Sequence, residues 1–134
     1  MAQNLIPIIS EYFKDQPEIA AVYLFGSFAN GRQRPTSDLD IGLVFEHTDP
    51  KQISRALDHH FLALSRQLRK TLHLVAMNFA GEILLKQIFT KGRCILVNNP
   101  KTHSQFTMIA YSKIANFGDY HAQFKRSFTQ TMMQ

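Results

Sequence analysis

The sequence predicts an α/β (α+β) domain in which a small mixed β-sheet is flanked by helices and closed by a C-terminal amphipathic helix. Three observations lead there. Four short apolar runs of strand length, "EIAAVYLFG", "LDIGLVFE", "LHLVAMNF" and "RCILVN", are separated by stretches with helical spacing of apolar residues. Their order is α-β-β-α-β-α-β-α. The 134 residues contain no repeat, low-complexity stretch or linker, so one domain over 1–134 is expected, with about 100–134 as a helical extension.

Each element has a local reason. In "NLIPIISEYFKDQ" the residues Leu5, Ile9, Tyr12 and Phe13 share a helical face, and Pro7 is tolerated near the helix start. "EIAAVYLFG" reads as a buried strand ending at Gly26. "LDIGLVFE" alternates, with Leu39, Ile41, Leu43 and Phe45 on one face and Asp40, Gly42, Val44 and Glu46 on the other. Asp49 and Pro50 form an N-cap and first helical residue, after which Ile53, Leu57, Leu64 and Leu68 recur at helical spacing. His59 and His60 diverge by roughly a hundred degrees on that helix, so they form no local chelate and are read as surface residues. "LHLVAMNF" is a third strand, and "GEILLKQIFTKG" is a short helix closed by Gly92. From Thr102 onward Phe106, Ile109, Phe117, Tyr120 and Phe124 mark a terminal helix, with a break expected at Gly118; the aromatic stripe reads as a docking face.

Composition narrows the function classes. Net charge is +5 and the pI about 9.6, which favours an anionic partner, yet the basic residues are dispersed. Without a clustered patch or a recognisable reading helix, direct nucleic-acid binding is disfavoured. No apolar run approaches the ~20 residues that span a bilayer, and the N-terminus lacks a signal-peptide pattern, so a cytoplasmic protein and no membrane partner are expected. The single cysteine, Cys94, excludes an intramolecular disulfide and reads as a buried, inert thiol.

The chemistry concentrates between Tyr23 and Phe45. Residues two apart on a strand project to the same side about 6.5–7 Å apart, so Asp38 and Asp40 can converge on a cation. Mg²⁺ suits a pair of carboxylates completed by substrate phosphates. Gly26 and Ser27 end the preceding strand, where a glycine permits close backbone approach and a hydroxyl can donate to phosphate. By itself Asp-x-Asp fits a turn; with Gly-Ser just upstream it points to a site. "GSFANGRQ" also matches the glycine spacing of a P-loop, but Arg32 and Gln33 stand where Lys and Ser/Thr are required. A haloacid-dehalogenase-type D-x-D-x-T/V site would need Thr or Val at Gly42.

With Gly26-Ser27, Ala29, Gly31, Ser37-Asp38 and Asp40, the sequence resembles the minimal nucleotidyltransferases of the DNA polymerase β superfamily, and the likeness continues through "ILLKQIFTKGRCIL". That resemblance implies the polymerase-β-type nucleotidyltransferase fold. It also implies an antitoxin that transfers AMP from ATP to a tyrosine hydroxyl of a HEPN-type ribonuclease toxin, encoded by the adjacent gene and bound in a hetero-oligomer. It implies two Mg²⁺ ions held by Asp38 and Asp40, and terminal phosphates bound by Ser27 and the backbone around Gly26. Arg32 and Arg34 either add charge stabilisation or are solvated loop charges.

One position departs from the family pattern. His73 stands in "LHLVAM" where a third carboxylate is expected, and no Asp or Glu lies between Lys70 and Glu82. Either His73 takes that place as metal ligand or base, or turnover is lost and the chain neutralises its partner by binding alone. Imidazole is a poor Mg²⁺ ligand.

Overall fold

Strand composition decides what lies inside. The computed structural model describes residues 2–26 and 38–129, with side chains over 5–26 and 38–116. β1 (Ile19–Phe25) is buried along its whole length, and β2 (Leu39–Phe45) everywhere except Asp40. Both are central strands covered on two faces, which is why they read as nearly continuous apolar runs. β3 (Leu72–Ala76) and β4 (Arg93–Val97) are more exposed because they form the sheet edges in the order β3-β2-β1-β4. β1 pairs antiparallel with β2 and β4, whereas β2 pairs parallel with β3, so the sheet is mixed as expected.

Helices cover both faces. On one side α1 (Ala2–Lys14) and α2 (Pro50–Leu68) bring Ile9, Phe13, Ile53 and Leu64 against Leu39, Ile41, Leu43 and Phe45. On the other, α3 (Glu82–Lys91) and α4 (Pro100–Thr129) bring Leu85, Ile88 and Ala110 against Tyr23, Phe25 and Val44. The alternation of β2 therefore separates two cores. Asp49 caps α2, its Oδ1 accepting from Lys51 N at 3.1 Å with Pro50 behind it, as the sequence predicts. Gly92 ends α3, where a Cβ would lie 2.5 Å from the Ile88 carbonyl oxygen.

Several expectations are corrected. β3 stops at Ala76, and Met77–Phe79 turn into a short 3₁₀ helix rather than extending the strand. The cause is Asn78, whose Oδ1 accepts from Phe45 N at 2.8 Å while its Nδ2 donates to Phe45 O at 3.2 Å. Its side chain thus replaces a strand backbone as the partner of β2. His60 is fully buried rather than on the surface, held between Tyr12 and Glu18. Cys94 is exposed rather than buried, because the edge strand β4 leaves it uncovered. Helix α4 runs through Gly118 without a break, and it docks through Phe106, Ala110 and Ile114 while Ile109 is 59% exposed. The side chains of Phe117, Tyr120 and Phe124 lie outside those described. No helix among the described residues is long and apolar enough to cross a membrane.

Candidate active site

Three strands meet at one end of the sheet. β1 runs into Gly26, whose φ of +77° lies in the left-handed region that glycine adopts without strain. Antiparallel pairing sets Phe25 opposite Asp40, so the aspartate lies over the bare glycine Cα. A Cβ at Gly26 would meet Asp40 Oδ2 at 2.1 Å, and therefore glycine is what lets this carboxylate sit there. The parallel pairing of β2 with β3 then sets Asp40 beside His73, whose Nδ1 donates to Asp40 Oδ1 at 3.2 Å. The side chain of Asp40 is 23% exposed and that of His73 is 65% exposed.

The electrostatics follow from this placement. Burial raises the Asp40 carboxyl above its ordinary range. The His73 hydrogen bond and charge oppose the shift, and the neighbouring Asp38 carboxylate adds to it. Asp38 itself is exposed where the chain enters β2. Two neighbouring carboxylates, one of them partly buried, are a donor pair that a divalent cation relieves, so these residues fit one such ion completed by phosphate oxygens and water. Among the described residues no three His, Cys, Asp or Glu side chains form a ready metal-holding group. The third carboxylate that would serve a second ion is likewise not found beside Asp40, where His73 stands.

The structure thus brings Gly26, Asp38, Asp40 and His73 to one sheet end. Ser27, Ala29, Gly31, Arg32, Arg34 and Ser37 lie outside the described residues. The sequence placed His73 at the third position but did not reveal its hydrogen bond to Asp40, which depends on the parallel register across the β2–α2–β3 crossover. It also left Arg93 without a role. Arg93 opens β4 opposite Leu24, so an exposed cation is rooted near the Gly26 end; the signal was the Gly-Arg pair that follows α3.

A family model described as polymerase beta, nucleotidyltransferase, matches residues 8–101. The chain belongs to that nucleotidyltransferase family. Its four-stranded mixed sheet with flanking helices is the fold of this family, as predicted. The nucleotidyltransferase chain is also similar to solved structures over nearly its whole length. One is a toxin–antitoxin complex with AMP-PNP, with 23% identity, a TM-score of 0.69, and 95% of this chain and 98% of that chain covered. Another is the tri-AMPylated Shewanella oneidensis HEPN toxin in complex with its MNT antitoxin, with 22% identity, a TM-score of 0.65, and coverage of 98% and 99%. A third is the MntA–HepT toxin–antitoxin, with 21% identity, a TM-score of 0.64, and coverage of 97% and 98%. At these identities the likeness is one of fold. No curated protein sequence matches the chain significantly.

Proposed function

We propose that this nucleotidyltransferase is the antitoxin of a toxin–antitoxin pair, transferring AMP from ATP to a tyrosine hydroxyl of a HEPN-type toxin and so neutralising it. The observation that carries the reading is the seating of Asp40 over the bare Gly26 Cα, next to Asp38, at an open end of the sheet. The partner and the transferred group are supported by the solved complexes of the same fold, one holding AMP-PNP and one an AMPylated HEPN toxin.

In the reaction the phenolic oxygen bonds to the α-phosphorus of ATP, the bond to the bridging oxygen of diphosphate breaks, and the phenolic proton is released. A bound Mg²⁺ would supply neutralisation of the triphosphate and of the leaving diphosphate. Asp38 and Asp40 would hold it. Gly26 leaves space for the Asp40 carboxylate against the backbone, and Ser27 would donate its hydroxyl to the phosphate oxygens. Arg32, Arg34 and Arg93 would contribute positive charge around the same phosphates. His73 fixes the orientation of Asp40 through the 3.2 Å hydrogen bond.

The test is transfer of label. The chain is incubated with α-labelled ATP, Mg²⁺ and the product of the adjacent gene, in parallel with Asp38→Ala/Asp40→Ala. Label on a tyrosine of the partner, lost in the double variant, is expected. A second reading, neutralisation by binding alone, is favoured by the imidazole at the third position. It would be established by an unlabelled partner that the double variant still neutralises.

A further inference from the structure

We propose that Tyr12, held in a hydrogen-bonded line with His60 and Glu18, is a second acceptor of the nucleotidyl group, so that one copy of the chain adenylylates Tyr12 of another. The inference rests on the reading that the Asp38–Asp40 site transfers AMP to a tyrosine hydroxyl, and it adds an acceptor on this chain itself.

Geometry is the first argument. Glu18 Oε2 accepts from His60 Nε2 at 2.9 Å, which leaves His60 Nδ1 to accept from the Tyr12 hydroxyl at 2.7 Å. A hydroxyl, a base and a carboxylate that orients the base thus stand in series, the arrangement that activates a weak nucleophile. His60 is fully buried, whereas Tyr12 keeps part of its surface open to solvent. Burial and the Glu18 charge raise the Tyr12 phenol above its ordinary value, so attack needs a base at the oxygen. Burial also favours neutral His60, the form that accepts a proton. The other tyrosines whose side chains are described lack this combination. Tyr23 meets His103 Nε2 at 2.7 Å but is only 6% exposed. Tyr111 is exposed and stacks on Phe89, with no imidazole bonded to its hydroxyl among the described residues.

The step balances with these residues. The Tyr12 phenolic oxygen bonds to the α-phosphorus of ATP, and the bond to the bridging oxygen of diphosphate breaks. The phenolic proton passes to His60 Nδ1, where the Glu18 carboxylate stabilises the imidazolium until the proton leaves to water. A chain cannot do this to itself. Glu18 immediately precedes β1, whereas Asp40 pairs with Phe25 at the far end of that strand, about 20 Å away. Tyr12 also packs on the sheet face covered by α1 and α2, with Leu39 and Ile41, and strand alternation puts Asp40 on the other face. Transfer to Tyr12 therefore runs between two copies.

The test needs the full chain, α-labelled ATP and Mg²⁺, without the partner, and maps labelled peptides by mass spectrometry. Label on Tyr12 is expected, and Tyr12→Phe, which keeps the ring packing, should lose it. Label should reach Tyr12 of the Asp38→Ala/Asp40→Ala chain only when native chain is mixed with it. A positioned base contributes at least about 100-fold, so His60→Gln should slow labelling of Tyr12 by that factor. The same variant should transfer label to the product of the adjacent gene at the native rate, which together with a thermal melt verifies that it is folded. Unchanged labelling of Tyr12 in His60→Gln would overturn the role of His60. A native chain that labels the partner but not itself, or itself only at another residue, would overturn the assignment of Tyr12. A native chain that labels neither would instead overturn the transferase reading beneath it.

Discussion

At the scale of single residues, Gly26 carries more than its size suggests. Its φ of +77° and the 2.1 Å approach of Asp40 Oδ2 to the place of a Cβ act together. Gly26→Ala is expected to cost about 1–3 kcal/mol of stability from the strained backbone. It should also push the Asp40 carboxylate aside, and a displacement of about 1 Å at a reacting centre costs about 100-fold in rate. Thermal melting and label transfer measure the two effects separately. A variant that melts lower but transfers normally would show that the placement of Asp40 is irrelevant to turnover. Gly26, Asp38 and Asp40 were legible in the sequence because strand alternation and a strand-ending glycine are local features. The contact between Asp40 and His73 was not, since 33 residues and a helix separate its partners and only the parallel register joins them.

At the scale of elements, α1 and α2 are joined by a buried polar chain. His60 Nε2 donates to Glu18 Oε2 at 2.9 Å, and its Nδ1 accepts from the Tyr12 hydroxyl at 2.7 Å. The sequence carried this signal in the spacing of Leu57, His60 and Leu64, three positions of one inward stripe; reading His59-His60 as a surface pair overlooked that stripe. Burial lowers the His60 pKa from 6.5, although Glu18 opposes the shift. Above pH ~6.5 the imidazole is neutral in folded and unfolded chains alike, and its interactions are intact. Below that value the unfolded chain takes up a proton that the folded chain resists, so stability falls with pH until the lowered folded value is reached. His60→Gln should cost about 1–3 kcal/mol near pH 7 by leaving Tyr12 and Glu18 poorly partnered. The Tm gap between native and variant should narrow from pH 7 to pH 5. A gap that is constant over this range would contradict a neutral, buried His60. Asn78 gives the matching lesson for β3: its side chain pairs with Phe45, and apolar periodicity does not report where a side chain will take over from a backbone partner.

At the scale of the whole molecule, the class of fold followed from the alternation of strand and helix patterns, while the order β3-β2-β1-β4 did not. Apolar runs identify strands without naming their neighbours, and β4 reaches β1 only after α2, β3 and α3 have been laid down. That order has a consequence during synthesis. β1 emerges early from the ribosome and finds β2 soon afterwards, but its other side stays open until β4, ending at Val97, has been translated. An apolar strand with an unpaired edge is a template for association between chains. A chain stopped at Gly92 is therefore expected to shift towards the insoluble fraction on expression relative to the chain that includes β4; a soluble, monomeric truncation would refute this. The strand that leads into Gly26 thus has its second edge closed only once β4 has been translated, so termination before β4 is expected to leave a chain that associates instead of folding.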